Sequence, residues 1–308
     1  MPKKTVARTP KSRSCACLQV HFGLLDKYPA FRANQGEIER FTRRAAIEGV
    51  EAMRTGIVTI QVVVHVVHRL PAENISDAQI KSQIRTLNRD YRATNTDKVK
   101  VPAAFQPLAA DAQIEFALAT KDPDGNPTTG ITRKKTTRAS FSINDGVKSP
   151  STGGIAPWDT ARFLNLWACT LSDDLLGYAQ FPGGPPATDG VVILNTAFGS
   201  GGSAAPPFHK GRTATHEIGH YLNLSHIWGE SRLPNCSDDD FVTDTPKQLG
   251  PNKAKPAFPH ITCGNGPNGD MFMNYMDYTD DAAMFMFTRS QVDRMRAALS
   301  GPRSTLGA

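Results

Sequence analysis

His216-Glu217-Ile218-Gly219-His220-Tyr221-Leu222-Asn223-Leu224-Ser225-His226 is the stretch on which the reading of this chain turns. His216 and His220 are four residues apart, so on a helix they lie one above the other on one face. Two imidazoles at that spacing can bind one zinc ion. Glu217, beside the first, would project next to the metal and take the proton of a water held there. His226 follows His220 by six residues. A helix running straight on would carry it away, whereas a sharp stop would return it to the metal. Asn223 stands where that stop is needed, and Asn is, after Gly, the residue that best accepts a left-handed backbone. Three protein nitrogens and one open position are what a catalytic zinc needs. A downstream Glu as third ligand is disfavoured by counting, because no Glu follows Glu230, which lies only ten residues past His220.

The rest of the chain sets the bounds. Its 308 residues suffice for one large domain or two small ones with a buried core. No apolar run approaches the length of a membrane span. Met1–Arg8 is basic, and no apolar signal core follows it. The net charge of +6 invites a polyanion reading, but it is local. Residues 1–54 hold 11 Lys and Arg against 5 Asp and Glu, while residues 55–308 hold 24 of each. A basic tail without interleaved aromatics is a poor nucleic-acid site, so no nucleic-acid partner is expected.

Five cysteines leave at least one thiol unpaired. Cys236 and Cys263 fall in a Gly-, Pro- and Asn-rich region, where a disulfide would staple a loop-rich subdomain and indicate an oxidising compartment. Cys15 lies in a leading segment, Arg13-Ser14-Cys15-Ala16-Cys17. A thiolate there can take the open zinc position and keep an enzyme latent; an incidental cysteine in a tail is the alternative. Cys17 and Cys169 receive no role.

In order, residues 1–12 read as disordered. Residues 36–48 read as a short amphipathic helix with Ile38, Phe41 and Ala45 on one side. Arg40, Arg43, Arg44 and Arg54 then offer basic cleavage points. Residues 57–67 are a β-branched run, a strand buried on both faces. Ser76-Asp77-Ala78-Gln79 is a capping box, and Ile80, Ile84, Leu87 and Tyr91 continue a helix over 77–92. Residues 113–120, 162–169 and 190–195 read as further strands. Residues 177–182 read as an edge strand closed by Pro182, able to pair with an extended peptide. His65, His68 and His209 lack ligand spacing and read as structural or exposed. After His226 the chain turns irregular. Its run Cys236–Pro246 holds four carboxylates; oxygen-rich loops suit calcium, and a solvated acidic turn reads equally well. Residues 289–299 close the chain as a helix.

Three separated stretches share one pattern: the long histidine motif, Asn274-Tyr275-Met276-Asp277-Tyr278-Thr279-Asp280-Asp281, and the Arg-x-Cys leader. Together they resemble the pappalysin family of metzincin metallopeptidases, whose pattern H-E-x-x-H-x-x-G-x-x-H is followed by a Met-turn; the smaller secreted microbial members are the nearest in kind. Asp240–Pro246 matches as well, and Asn223 departs from the usual Gly. The resemblance implies an α/β metzincin-like catalytic domain: a twisted mixed sheet with a backing helix and a zinc-binding helix, then an irregular C-terminal subdomain. Residues 1–54 would be a pro-segment and 55–308 the catalytic domain, divided at 226/227 into subdomains flanking a cleft.

The resemblance also implies roles. His216, His220 and His226 would bind zinc, with Glu217 as general base and Tyr278 stabilising the oxyanion. Met276 would form the Met-turn beneath the metal, and Cys15 would be the inhibitory ligand of a latent form. Cys236 and Cys263 would pair. Asp240, Val242 (through its carbonyl) and Thr245 would hold calcium. The implied function is a secreted, zinc-dependent endopeptidase acting on protein or peptide substrates. Relatives that cut on the N-terminal side of Lys or Arg suggest acidity from Asp280 or Asp281. Two other classes stand beside this one: a zinc-stabilised binding module, against which an intact Glu217 argues, and a basic-tail polyanion binder.

Overall fold

Eleven residues of β1 (Val58–His68) run through the middle of the molecule and carry strands on both edges. The computed structural model describes residues 9–48, 54–231 and 233–307. Eight of the eleven side chains of β1 are buried, including all of 62–67, as its β-branched run demands. α3 (Asp77–Tyr91) follows and lays Ile80, Leu87 and Tyr91 into the core. Ser76 caps it by accepting from Gln79 N at 3.2 Å. The reciprocal half of the expected capping box does not form, because Gln79 Oε1 accepts instead from Ser203 N at 3.1 Å, and its Nε2 donates to Phe198 O at 2.9 Å, which ties down the loop before the histidine helix.

β2 (Ile114–Leu118) pairs with the first half of β1, and β3 (Ile131–Lys135), which sequence reading missed, pairs with the second half of the same edge. On the other edge come β4 (Leu164–Cys169), then β6 (Val191–Leu194), with β5 (Gly177–Ala179) outermost. All pairs are parallel except β5 with β6. The expected mixed sheet is thus realised, and the one antiparallel strand is the edge that borders the cleft. His65, read as structural, is buried on β1 between Thr132 Oγ1 (2.7 Å) and Asn165 Oδ1 (2.9 Å).

The leader is more ordered than expected. Residues 1–8 lie outside the described residues, but Pro10 and Arg13 are already buried. α1 (Cys17–Lys27) and α2 (Pro29–Glu48) then form, where only the second half of α2 was expected. α1 buries Cys17, Val20, His21 and Leu24, a helical stripe partly disguised by the histidine and by Gly23. Pro29 opens α2, where a missing N–H costs nothing. Ile38 and Ala45 are buried and Phe41 half-buried, with α2 against α5 (Arg289–Ser300). After α4 (Arg212–Tyr221), regular structure among the described residues is limited to α5, the two-residue strands β7 (Lys253–Ala254) and β8 (Tyr278–Thr279), and one 3-10 turn at Asp281–Ala283. Cys236 and Cys263 form a disulfide across this stretch.

Candidate metal centre

α4 packs on β5 and β6 and presents His216, Glu217 and His220, all essentially buried, toward the cleft. The helix stops where the sequence says it should. Leu222 N still bonds to Ile218 O (2.9 Å), Asn223 takes φ +74°, and Leu224 N turns back to Gly219 O (2.9 Å). This reversal delivers His226, whose ring stacks on Trp228 at 4.4 Å. Gly219 is needed here for a second reason: a Cβ at that position would run into Met276 Sδ. Met276, fully buried, therefore lies directly beneath the turn of α4 that carries the motif.

The imidazoles face one another. His220 Nε2 is 3.2 Å from His216 Nε2 and 3.1 Å from His226 Nε2. The other ring nitrogens are engaged: His216 Nδ1 meets Tyr275 O at 2.7 Å, and His220 Nδ1 meets Leu224 O at 2.7 Å. Carbonyls accept only, so these two Nδ1 atoms carry the protons. Burial holds His220 down to about 4 and, with the neighbouring imidazoles, keeps His216 and His226 well below the usual range. Neutral rings with protonated Nδ1 atoms point two bare lone pairs at each other across 3.2 Å, with no proton between them. A cation satisfies all three converging ring nitrogens at once, so the donor set fits a zinc ion held by His216, His220 and His226.

Cys15 Sγ completes this group: it and one nitrogen from each of the three histidines lie within 4.8 Å of one another. The Glu217 carboxylate sits alongside, with Oε2 3.2 Å from Cys15 Sγ and 2.8 Å from Cys17 Sγ. Burial pushes Glu217 up to about 7, against the pull of the two thiols and of Arg13. Burial, assisted by Glu217, also pushes the Cys15 thiol up to about 11. Gly177 permits the close fit of β5 on Glu217, since a Cβ there would stand 3.0 Å from the glutamate side chain. Tyr278 closes the opposite side. Its hydroxyl donates to Cys15 O (3.2 Å) and accepts from Cys15 N (3.3 Å), and its ring lies 5.0 Å from that of His226.

The leader lies in the cleft as a strand. Cys15 bridges Gly177 in parallel, with Leu176 N donating to Ser14 O (3.0 Å) and Ala16 N donating to Gly177 O (3.2 Å). Arg13, to which sequence reading gave no role, is buried. It pairs with Asp281 Oδ1 at 2.7 Å and donates to Thr279 O (3.1 Å) and Thr213 Oγ1 (3.3 Å). Of the two aspartates singled out, Asp281 is the one that faces this arginine; its other oxygen accepts from Lys210 N (2.7 Å) and Arg212 N (3.3 Å) at the start of α4. No local signal could have found a partner 268 residues away. Asp240, Val242 and Thr245 also converge: Thr245 Oγ1 is 2.9 Å from Asp240 Oδ2 and 3.1 Å from Val242 O.

A peptidase family profile described as pregnancy-associated plasma protein-A (Peptidase_M43) matches residues 155–300. The chain is 28% identical over 268 residues to an extracellular metalloprotease of Arthroderma benhamiae, covering 86% of each. It is 32% identical over 232 residues to extracellular metalloprotease 1 of Coccidioides posadasii, covering 72% of this chain and 68% of that one. Among solved structures, a promirolysin mutant of Tannerella forsythia superposes with a TM-score of 0.86 and 45% identity, over 95% of this chain and 96% of that one. Mature mirolysin of the same organism, in complex with a cleaved peptide, superposes with a TM-score of 0.78 and 50% identity, over 82% of this chain and 98% of that one.

Proposed function

The chain belongs to the pappalysin family of metzincin metalloendopeptidases, and from that premise we propose that it is a secreted zinc endopeptidase folded here in its latent form, with a preference for Lys or Arg on the C-terminal side of the scissile bond. The observation that carries this reading is the Arg13-Ser14-Cys15 strand across three converging histidines and a buried glutamate. In this reading residues 1–54 are the pro-segment, 55–226 the upper and 227–308 the lower part of the catalytic domain. The wider match to the pro-form supports that division, 95% of the chain against 82% for the mature form. The boundary lies beside residues 49–53, which are outside the described residues.

His216, His220 and His226 would hold the zinc, and Cys15, whose sulfur lies among their ring nitrogens, would block a substrate's approach to it. Bound zinc supplies Lewis acidity toward a water and a carbonyl oxygen. Once the leader departs, Glu217 loses both thiols and is free to take a proton from the attacking water and pass it to the leaving amine. The Tyr278 hydroxyl, released from Cys15, can donate to the oxyanion formed from the scissile carbonyl. Tyr275 O fixes the tautomer and direction of His216, and Met276 floors the site.

Direction along β5 supports the specificity. The leader runs parallel to β5, so Arg13, two residues before Cys15, lies toward the start of that strand. A substrate laid antiparallel on the same edge reaches Arg13's place with a residue after its scissile bond, and Asp281 would receive its cationic side chain there. Asp240, Val242 O and Thr245 are proposed as a structural calcium site, supported by their convergence in an acidic loop. The extracellular relatives and the Cys236–Cys263 disulfide support secretion; among the described residues no helix is long and apolar enough to cross a membrane.

The test is intact mass of the purified chain over time, with and without a zinc chelator, followed by a cleavage profile on a peptide library. Chelator-sensitive loss of a fragment ending between Arg40 and Arg54, and cuts before Lys or Arg that Asp281→Asn abolishes, are the expected results. A trypsin-trimmed chain that leaves casein whole would sink the reading, and a profile without basic preference would sink its specificity.

A further inference from the structure

Cys15 accounts for the metal's fourth position, yet a second thiol lies deeper in the same place. Cys17 is fully buried at the start of α1, and its sulfur meets groups on the catalytic side: Glu217, Ala179 N and the sulfur of Cys15. It donates to Glu217 Oε2 at 2.8 Å, a closer approach than the 3.2 Å of Cys15. It accepts from Ala179 N at 3.0 Å, a backbone donor of the cleft-edge strand β5. One sulfur thus occupies the base and a strand donor at once. A cysteine buried merely as a small apolar residue needs neither contact.

We propose that Cys17 is a positioning residue of the latent state: its thiol caps the Glu217 carboxylate, so that latency rests on two thiols, Cys15 at the metal and Cys17 on the base. The proposal rests on the reading of the chain as a latent zinc endopeptidase. Its consequence is that slippage of Cys15 from the metal does not by itself produce an active site, because Glu217 remains held and β5 remains occupied. A hydrogen bond to a buried carboxylate shifts such an equilibrium by about ten- to a hundredfold.

The experiment compares full-length wild-type chain with Cys17→Ser, Cys17→Val and Cys17→Ala. For each, the initial rate of fluorogenic-peptide hydrolysis by freshly purified chain, uncleaved by intact mass, is divided by the rate after trimming with trypsin. Trimming removes residue 17, so the second rate checks that each variant folded. Val keeps the volume, Ala avoids overpacking and Ser keeps a donor. Cys17→Val and Cys17→Ala should both raise the ratio at least about tenfold, while Cys17→Ser stays within about twofold of wild type. Wild-type ratios for Val and Ala would overturn the proposal, as would a rise for Ser equal to theirs. A wild-type chain inactive even after trimming would overturn the reading of the site, and this proposal with it.

Discussion

β1 and β4 are held by ladders of backbone hydrogen bonds to neighbouring strands, whereas the loops after His226 add to scattered backbone turns a set of hydrogen bonds to buried side chains. In the sheet, Val62 to Val66 pair residue by residue with β4, and the side chains there are buried and aliphatic apart from His65, Asn165 and Trp167. In the later region, buried Asp277 accepts from Asn252 N (2.8 Å), Asn252 Nδ2 (2.9 Å), Gln248 Nε2 (3.1 Å) and Tyr278 N (2.7 Å). Buried Asp270 accepts from Thr262 Oγ1 (2.6 Å) and Asn265 Nδ2 (2.7 Å). The site straddles the two. His216, Glu217 and His220 come from a helix packed on the sheet, while the carbonyl that orients His216, the floor under the metal and Tyr278 come from the side-chain-held region. The chemistry is therefore placed on the rigid half, and its alignment depends on the half most sensitive to carboxylates, cations and reductant.

The largest expected effect tests the first part of that contrast. Glu217→Ala in the trimmed chain should lose about 10²–10⁴ in turnover and keep its zinc, measured by peptide hydrolysis and metal content together. Loss of the metal along with the activity would mean that Glu217 belongs to the fold and not to the proton transfer.

Next comes the staple. Cys236 and Cys263 are 27 residues apart, and closing a loop of that length is worth about 3 kcal/mol in chain entropy. Replacing both by Ser should lower unfolding stability by about that amount in urea. Hydrogen exchange should rise across residues 227–286 while β1 and β4 stay protected. Uniform loss of protection would erase the distinction between the two halves.

Smaller again is the pH dependence of the acidic loop. Burial pushes Asp240 up to about 7 in the cation-free protein. Calcium needs the ionised carboxylate, so its binding is full above pH 7 and weakens as pH falls through it, by about tenfold per unit. The rise in Tm on adding calcium to dialysed protein should be larger at pH 8 than at pH 6. An equal rise at both, or none at either, would remove Asp240 from the proposed site.

The smallest effect is at the helix stop. Asn223 already holds φ +74°, so Asn223→Gly should leave zinc content unchanged and shift stability by less than about 1 kcal/mol. Asn223→Val, β-branched, should cost more than Gly gains, read by thermal unfolding. A metal-free Gly variant would show that the turn depends on the asparagine side chain itself.

Elements written in local periodicity were legible. β1, α3 and α5 were each anticipated to within about two residues, and α4 by its stop near Asn223, because apolar spacing and caps act within a turn or a strand. The short strand β3 was missed: its Arg133-Lys134-Lys135 run looks like a surface loop until β1 offers it an edge. α1 was missed because Gly23 and His21 interrupt a stripe that only the fold shows to be buried. At the site, His216, Glu217 and His220 could be read from spacing along one helix, and Asn223 and His226 from the stop that follows it. Arg13 and Cys17 could not, since what defines them is a carboxylate 268 and 200 residues away, respectively.

The sequence alone determined the spacing of the metal donors and the residue that turns the chain back. Those are consequences of helix geometry and left-handed backbone preference, which need no partner. Only the tertiary structure decided which aspartate faces Arg13, which thiol lies on Glu217 and which strand edge the leader occupies. Those contacts join segments that are remote in the chain, and burial sets their strength.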